Sequence, residues 1–173
     1  NQASRVAAIS PPGRSSSGAF VVTGDNDSLI RVWDSRNGRL LYKLAGHRGR
    51  LKALAVSPDG RTLASVGEDL VMKLWNLPTG RELMTMSRSV GISRMRFSPD
   101  GHRMLTLQDE GKSSRGWLWY LDTGAKIPLQ YTQGTRISHG GFSPDGERIA
   151  TVGSDMVVRL WNSSDAREQR SFK

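Results

Sequence analysis

The stretch LKALAVSPDGRTLASVGEDLVMKLWN, residues 51–76, decides the fold. Three short apolar runs, Leu51–Val56, Thr62–Val66 and Val71–Trp75, are parted first by Ser57-Pro58-Asp59-Gly60 and then by Glu68 and Asp69. Proline presets φ and glycine supplies φ > 0 without a steric cost, so Pro-Asp-Gly between apolar runs marks a turn for a physical reason. Runs of about five residues bounded by such turns read as strands joined in hairpins. A fourth run, Glu82–Met86, follows Thr79-Gly80. The unit is an antiparallel meander of four strands.

The unit recurs. Ser-Pro-Asp-Gly returns at Ser98–Gly101 and Ser143–Gly146, with a degenerate Ser-Pro-Pro-Gly at Ser10–Gly13. Each copy precedes a tryptophan: Trp33-Asp34, Trp75-Asn76, Trp119-Tyr120 and Trp161-Asn162, spaced by 42, 44 and 42 residues. That period falls in the ~40–45 of four-stranded propeller blades. Four repeats fill the chain, with blades at 5–44, 45–86, 87–131 and 132–173 of one propeller segment. The turns between third and fourth strands carry Asn37-Gly38, Thr79-Gly80 and Thr123-Gly124, and Asp165-Ala166 is the exception. Apolar runs such as Leu29-Ile30 and Met156-Val157-Val158 predict sheets packed on both faces.

Three intact Ser-Pro-Asp-Gly turns, each in phase with a repeat tryptophan that Asn follows at Trp75 and Trp161 and Tyr at Trp119, resemble the blades of WD-repeat β-propellers over essentially the whole chain, from about Arg5 to Phe172. The resemblance implies an all-β fold of four four-stranded antiparallel blades. It also implies a buried hydrogen-bonded set in each blade: His47, Ser65, Asp69 and Trp75 in the second, Thr23, Asp27 and Trp33 in the first, and Thr151, Asp155 and Trp161 in the fourth. The first and fourth lack the histidine. The third offers Thr106 and Trp119 but has Ser113 where the aspartate belongs. A WD-repeat ring is expected to need about seven blades, so four make an incomplete ring with two apolar flanks to be covered. The cover is expected from further blades of the same polypeptide, since the chain starts at Asn1 without Met; a second copy or another chain are the alternatives.

Two repeats are longer than the others between turn and tryptophan. The first has five extra residues, placed at Arg14–Gly18 and expected in a flexible hairpin; the third has three within Gln108–Gly116. Insertions in repeats map to loops.

Nothing in this pattern argues for an enzyme. Ser65, His47 and Asp69 are the residue types of a hydrolase triad. Thr and Asp recur at the same places in blades without a histidine, which points to a stabilising role instead. The remaining histidines, His102 and His139, have no metal-ligand spacing, and Gly13–Gly18 lacks the Lys-Ser/Thr ending of a phosphate loop. No cofactor or metal is expected. Cysteine is absent, which excludes disulfides, thiolate metal sites and a Cys nucleophile. No apolar run reaches the ~20 residues of a membrane helix, and no signal-peptide pattern opens the chain. No membrane association and a cytoplasmic location are expected.

Charge points to a partner instead. The chain carries a formal net charge of +9, with 36 % hydrophobic residues and a mean hydropathy of −0.46. Asp59, Asp100 and Asp145 in the first turns and Asp27, Asp69 and Asp155 in the second hairpins occupy many of the acids, leaving a more basic surface. By resemblance, Arg50, Lys52, Arg94, Arg136 and His139, with Asn26, Glu68 and Ser154, ring the end of the propeller where partners commonly bind. The expected function is a non-enzymatic protein-interaction scaffold within a larger protein or complex, binding a protein or peptide of acidic character. The alternative is a basic module holding nucleic acid electrostatically, a reading weakened by the lack of interleaved aromatics for base stacking. The repeats are also similar to those appended to bacterial signalling and NTP-binding sensor proteins.

Overall fold

In the computed structural model, residues 6–9, 20–87, 91–131 and 135–173 are described. They form four four-stranded sheets, each an antiparallel meander in sequence order. The first holds β1 (Val6–Ile9), β2 (Phe20–Gly24), β3 (Ile30–Asp34) and β4 (Leu40–Leu44). The second holds β5 (Leu51–Val56), β6 (Thr62–Gly67), β7 (Val71–Asn76) and β8 (Arg81–Ser87). The third holds β9 (Ile92–Phe97), β10 (Arg103–Asp109), β11 (Ser114–Tyr120) and β12 (Lys126–Leu129). The fourth holds β13 (Ile137–Phe142), β14 (Arg148–Gly153), β15 (Val158–Asn162) and β16 (Glu168–Phe172). The degenerate turn at Ser10–Gly13 and the insertion at Arg14–Gly18 lie outside the described residues.

The Ser-Pro-Asp-Gly turns are built alike. Gly60 donates its N–H to the Ser57 carbonyl at 2.9 Å, Asp59 accepts from the Arg61 N–H at 3.0 Å, and the Ser57 hydroxyl oxygen accepts from Thr62 N–H at 2.8 Å. Ser98 with Asp100, and Ser143 with Asp145, repeat those bonds. Gly60, Gly101 and Gly146 take φ of 71°, 76° and 74°, which a Cβ would oppose. At the other turn Ala166 adopts the left-handed φ of 57° that Gly38, Gly80 and Gly124 fill elsewhere.

The chain divides into two compact units, residues 1–90 and 91–173, each of two sheets. In the first unit, Phe20, Val22, Ile30, Val32 and Leu44 of the first sheet pack with Leu51, Leu63, Trp75 and Leu77 of the second. In the second unit, Leu105, Leu107, Leu118 and Leu129 of the third sheet meet Ile137, Ile149 and Trp161 of the fourth. Each such side chain contributes roughly 1.5–3 kcal/mol on full burial, so these face-to-face cores stabilise pairs of sheets that would be marginal alone. The longer third repeat is absorbed by pairing: β10 and β11 pair from Arg103↔Tyr120 to Asp109↔Ser114, beyond the Thr62↔Asn76 to Val66↔Met72 span of β6 and β7.

Candidate functional site

Two groups of polar side chains stand out, one sealed inside the sheets and one exposed at the hairpin ends. The sealed group is complete in the second sheet. Trp75 donates its indole N–H to Ser65 Oγ at 2.8 Å, and Ser65 Oγ lies 2.8 Å from His47 Nε2. His47 Nδ1 lies 2.9 Å from Asp69 Oδ2. With the indole donating, the serine hydroxyl donates onward to Nε2 and Nδ1–H donates to the carboxylate, an assignment made by the network. Asp69 also accepts the Arg48 N–H at 2.9 Å and the Val71 N–H at 3.3 Å. Burial works against its charge, yet these donors and the His47 ring outweigh it and hold the carboxyl below its ordinary range.

Serine, histidine and aspartate thus stand at triad distances, but Ser65 is 0 % exposed and its oxygen is occupied by the indole. An acyl group has no route to a nucleophile sealed in this way. Among the described residues, no three His, Cys, Asp or Glu side chains converge as a metal site. No described helix is long and apolar enough to cross a membrane.

The other sheets solve the missing histidine differently, and the sequence reading missed how. The repeat tryptophan always reaches its hydroxyl: Trp33 to Thr23 at 3.0 Å, Trp119 to Thr106 at 2.9 Å, Trp161 to Thr151 at 2.8 Å. In the first sheet Arg31, two residues before Trp33, holds Asp27 by two bonds of 2.6 and 3.2 Å and also pairs with Asp25. That guanidinium draws the Asp27 carboxyl down. In the fourth sheet Arg159, two before Trp161, binds Asp155 at 2.7 Å, while Tyr131 hydrogen-bonds Thr151 and lies 4.8 Å from the Trp161 ring. Tyr131 therefore fills the place His47 takes against Ser65 and Trp75. The signal was present as Asp-x-x-x-Arg-x-Trp at 27–33 and 155–161. In the third sheet, with Ser113 in place of the acid, Lys126 Nζ sits 4.5 Å from the Trp117 ring and 4.6 Å from the Trp119 ring. Such cation–π contacts are worth roughly 0.5–2 kcal/mol each.

The exposed group divides between the units. In the first, Arg50 and Lys52 flank Glu68 at 4.0 and 3.8 Å, and the Glu68 N–H binds the Arg50 carbonyl at 2.8 Å. Asn26 is exposed in the hairpin between β2 and β3. In the second, Arg136 N–H donates to Ser154 Oγ at 3.0 Å, and the Arg136 Nε donates to the Gly111 carbonyl at 3.1 Å. Arg94 and His139 are exposed at matching register positions, opposite Leu107 and Val152, and neither joins Arg136 and Ser154. His139 instead borders Ala150, Val152 and Val158 on the sheet surface. Leu70 and Met156 stand at the tips of corresponding hairpins, 46 % and 83 % exposed with φ of 61° and 59°; with Val158 also exposed, the run Met156-Val157-Val158 is not the doubly packed strand expected, because the chain turns at Met156 and the strand begins only at Val158. A large apolar residue held outward in a left-handed conformation is a strained arrangement of the kind found at contact sites.

A WD domain, G-beta repeat profile matches residues 3–34, 38–76 and 131–162, more than half of the sequence. The chain belongs to the WD-repeat family. Its four four-stranded antiparallel sheets are consistent with WD-type blades. The third blade, where Ser113 and the longer hairpin depart from the pattern, falls outside the matched residues. The chain is 38 % identical over 160 residues to eukaryotic translation initiation factor 3 subunit I of Scheffersomyces stipitis, covering 85 % of this chain and 46 % of that protein. It is 30 % identical over 149 residues to small ribosomal subunit protein RACK1y of Oryza sativa subsp. japonica, covering 83 % and 44 %. It is 28 % identical over 155 residues to a p21-activated protein kinase-interacting protein 1-like of Gallus gallus, covering 90 % and 40 %. The chain therefore spans less than half the length of these relatives.

Proposed function

We propose that this WD-repeat chain is a non-enzymatic scaffold that binds an acidic protein or peptide at the hairpin ends of its blades, as part of a larger cytoplasmic assembly. The observation carrying the reading is the second blade's exposed group, where Arg50 and Lys52 flank Glu68, two residues before the exposed Leu70 in the chain. Cations there attract and orient carboxylates, while an exposed leucine supplies apolar area that a partner would bury. In the other unit, Arg136 and Ser154 with Met156 repeat the combination. Asn26 in the first unit, and Arg94 and His139 in the second, are further exposed candidates for contact. The names of the relatives, an initiation-factor subunit, a ribosomal-subunit protein and a kinase-interacting protein, fit a component of protein complexes.

Panning a random peptide library tests the reading. The native protein should enrich peptides that combine Asp or Glu with an apolar residue, and Arg50→Glu with Leu70→Ser should abolish their binding without lowering Tm. Enrichment of the same peptides by that variant would refute the rim. Titration of a labelled RNA or DNA oligonucleotide at two salt concentrations checks the alternative, whose signature is binding that falls steeply with salt.

A further inference from the structure

The third repeat's extra residues build a hairpin that reaches past the ladder of the other blades. Glu110 donates its N–H to the Ser113 carbonyl at 2.9 Å, so Gly111 and Lys112 form a two-residue turn, with Gly111 at a φ of 79°. Directly opposed residues share a face of an antiparallel pair. Glu110 and Ser113 therefore stand together, with Gln108 and Arg115 on the same side two rungs further down.

Two adjacent serines of this hairpin are treated oppositely by the fold. Ser114 is 6 % exposed, and its Oγ accepts the Ile137 N–H at 3.1 Å. Ser113 is partly exposed beside the exposed Glu110, Gly111 and Lys112, and its hydroxyl has no hydrogen bond among the described residues. At the same spacing before their tryptophans, Asp27 and Asp155 sit in tight turns and hold Arg31 and Arg159. The longer ladder of the third blade carries Ser113 outward instead.

Cations surround that hydroxyl and are weakly matched. Arg115 pairs with Glu110 at 3.4 Å, an exposed contact of little strength, and its guanidinium lies 5.9 Å from the Trp117 ring. The ring is itself fixed by a bond from its N–H to Gln108 Oε1 at 3.0 Å, so Arg115 rests on a positioned surface. Lys112 has no ion pair among the described residues, nor has Arg136, which arrives from the fourth blade and donates to the neutral Gly111 carbonyl at 3.1 Å. Side chains two residues apart along a strand are separated by about 7 Å. A phosphorylated serine and an arginine span that gap.

We propose that Ser113 is a phosphorylation site whose phosphate is bound by Arg115 in exchange for Glu110. A serine kinase and Mg-ATP supply the group: the Ser113 hydroxyl oxygen attacks the γ-phosphorus, the bond from that phosphorus to the β–γ bridging oxygen breaks, ADP leaves, and the hydroxyl proton passes to the kinase's base. The phosphate carries about −1.5 to −2 charges and three acceptor oxygens, and a guanidinium meets two of them with parallel N–H donors. Glu110 offers a single charge and is free to turn to solvent. Lys112 before the acceptor and Arg115 two residues after it supply the basic flanks that a kinase of basic preference reads, on a tip exposed enough to enter its cleft. Ser114, buried and bonded to Ile137, is not offered. Lys112, Arg115 and Arg136 give the hairpin a positive balance over Asp109 and Glu110, which the phosphate reverses.

Mass spectrometry of the native protein, after incubation with Mg-ATP and a serine kinase that selects basic flanking residues, reads the acceptor. The mass of one phosphoryl group should appear at Ser113 and not at Ser114, and Ser113→Ala, folded by circular dichroism, should lose it. Binding of the phosphate is read separately on protein translated with phosphoserine in place of Ser113. In phosphorus NMR its second ionisation should fall about half a pH unit or more below that of the same protein carrying Arg115→Ala, because the guanidinium favours the doubly charged form. Should Arg115→Ala prove unfolded, Arg115→Gln takes its place with the same expected outcome. No transfer to Ser113, or transfer to Ser114 in the folded protein, overturns the site, and equal ionisation with and without Arg115 overturns the binding of the phosphate.

Discussion

Replacing Ser65 by alanine removes one oxygen and orphans two buried groups. The Trp75 indole N–H loses its acceptor at 2.8 Å, and His47 Nε2 loses its donor at 2.8 Å. Neither can turn to solvent, because Trp75 is buried and the His47 side chain is 0 % exposed. A buried donor or acceptor left unsatisfied costs about 1–3 kcal/mol, which sets the expected loss near 3 kcal/mol for the pair. At about 2–4 °C per kcal/mol for a chain of this size, Tm should fall by roughly 6–12 °C. Ser65→Thr should restore stability to within about 1 kcal/mol, because Thr23, Thr106 and Thr151 do the same work in the other blades. In a Trp75→Phe background one orphan is already gone, so Ser65→Ala should cost about 1–2 kcal/mol less than in the native chain. Urea unfolding of the four variants measures all of these values. A loss below about 0.5 kcal/mol for Ser65→Ala, or no coupling to Trp75, would refute the claim that the chain from Trp75 to Asp69 holds the blade.

Acid sensitivity should trace partly to Asp100. Burial opposes its charge, but bonds from the Ser98 hydroxyl, the His102 N–H and Arg103 outweigh that and lower its carboxyl from 3.8 to about 2. A depressed folded value contributes stability above about pH 4 that is lost as pH falls toward 2; urea unfolding at stepped pH should show that slope flattened in Asp100→Asn. Gly91→Ala places a Cβ 2.4 Å from the Asp109 carbonyl oxygen at a φ of +71°, and chemical denaturation should register a loss of about 2–3 kcal/mol. Tyr131→Phe removes the hydroxyl bonded to Thr151 yet leaves the ring against Trp161, so it should cost about 1 kcal/mol, whereas Tyr131→Ala should cost about 3 kcal/mol or more in the same assay.

The strands and turns were legible because their determinants are local. Pro58, Asp59 and Gly60 close a turn through their own backbone and side-chain bonds, and the same residues at 99–101 and 144–146 repeat it. The spacing of the four tryptophans then set the blade count. The third blade's extra residues were placed correctly between Gln108 and Gly116, but a longer ladder and a cation between two indoles lay beyond what residue spacing conveys. Tyr131 was missed for a related reason: it lies thirty residues before Trp161, and only packing shows that a phenol replaces an imidazole there.

By itself the sequence determined the meander, its four repeats and the polar residues belonging to each, since period, turn chemistry and alternation act within a few residues. Tertiary structure decided which of those residues meet. It paired Asp27 with Arg31 and Asp155 with Arg159 where histidine is absent, closed Ser65 to solvent, and turned Leu70 and Met156 outward. It also bound Arg103 to Ser163 across the junction between the third and fourth blades. Such contacts escape the sequence because burial and hydrogen bonding depend on the surface that arrives from another blade.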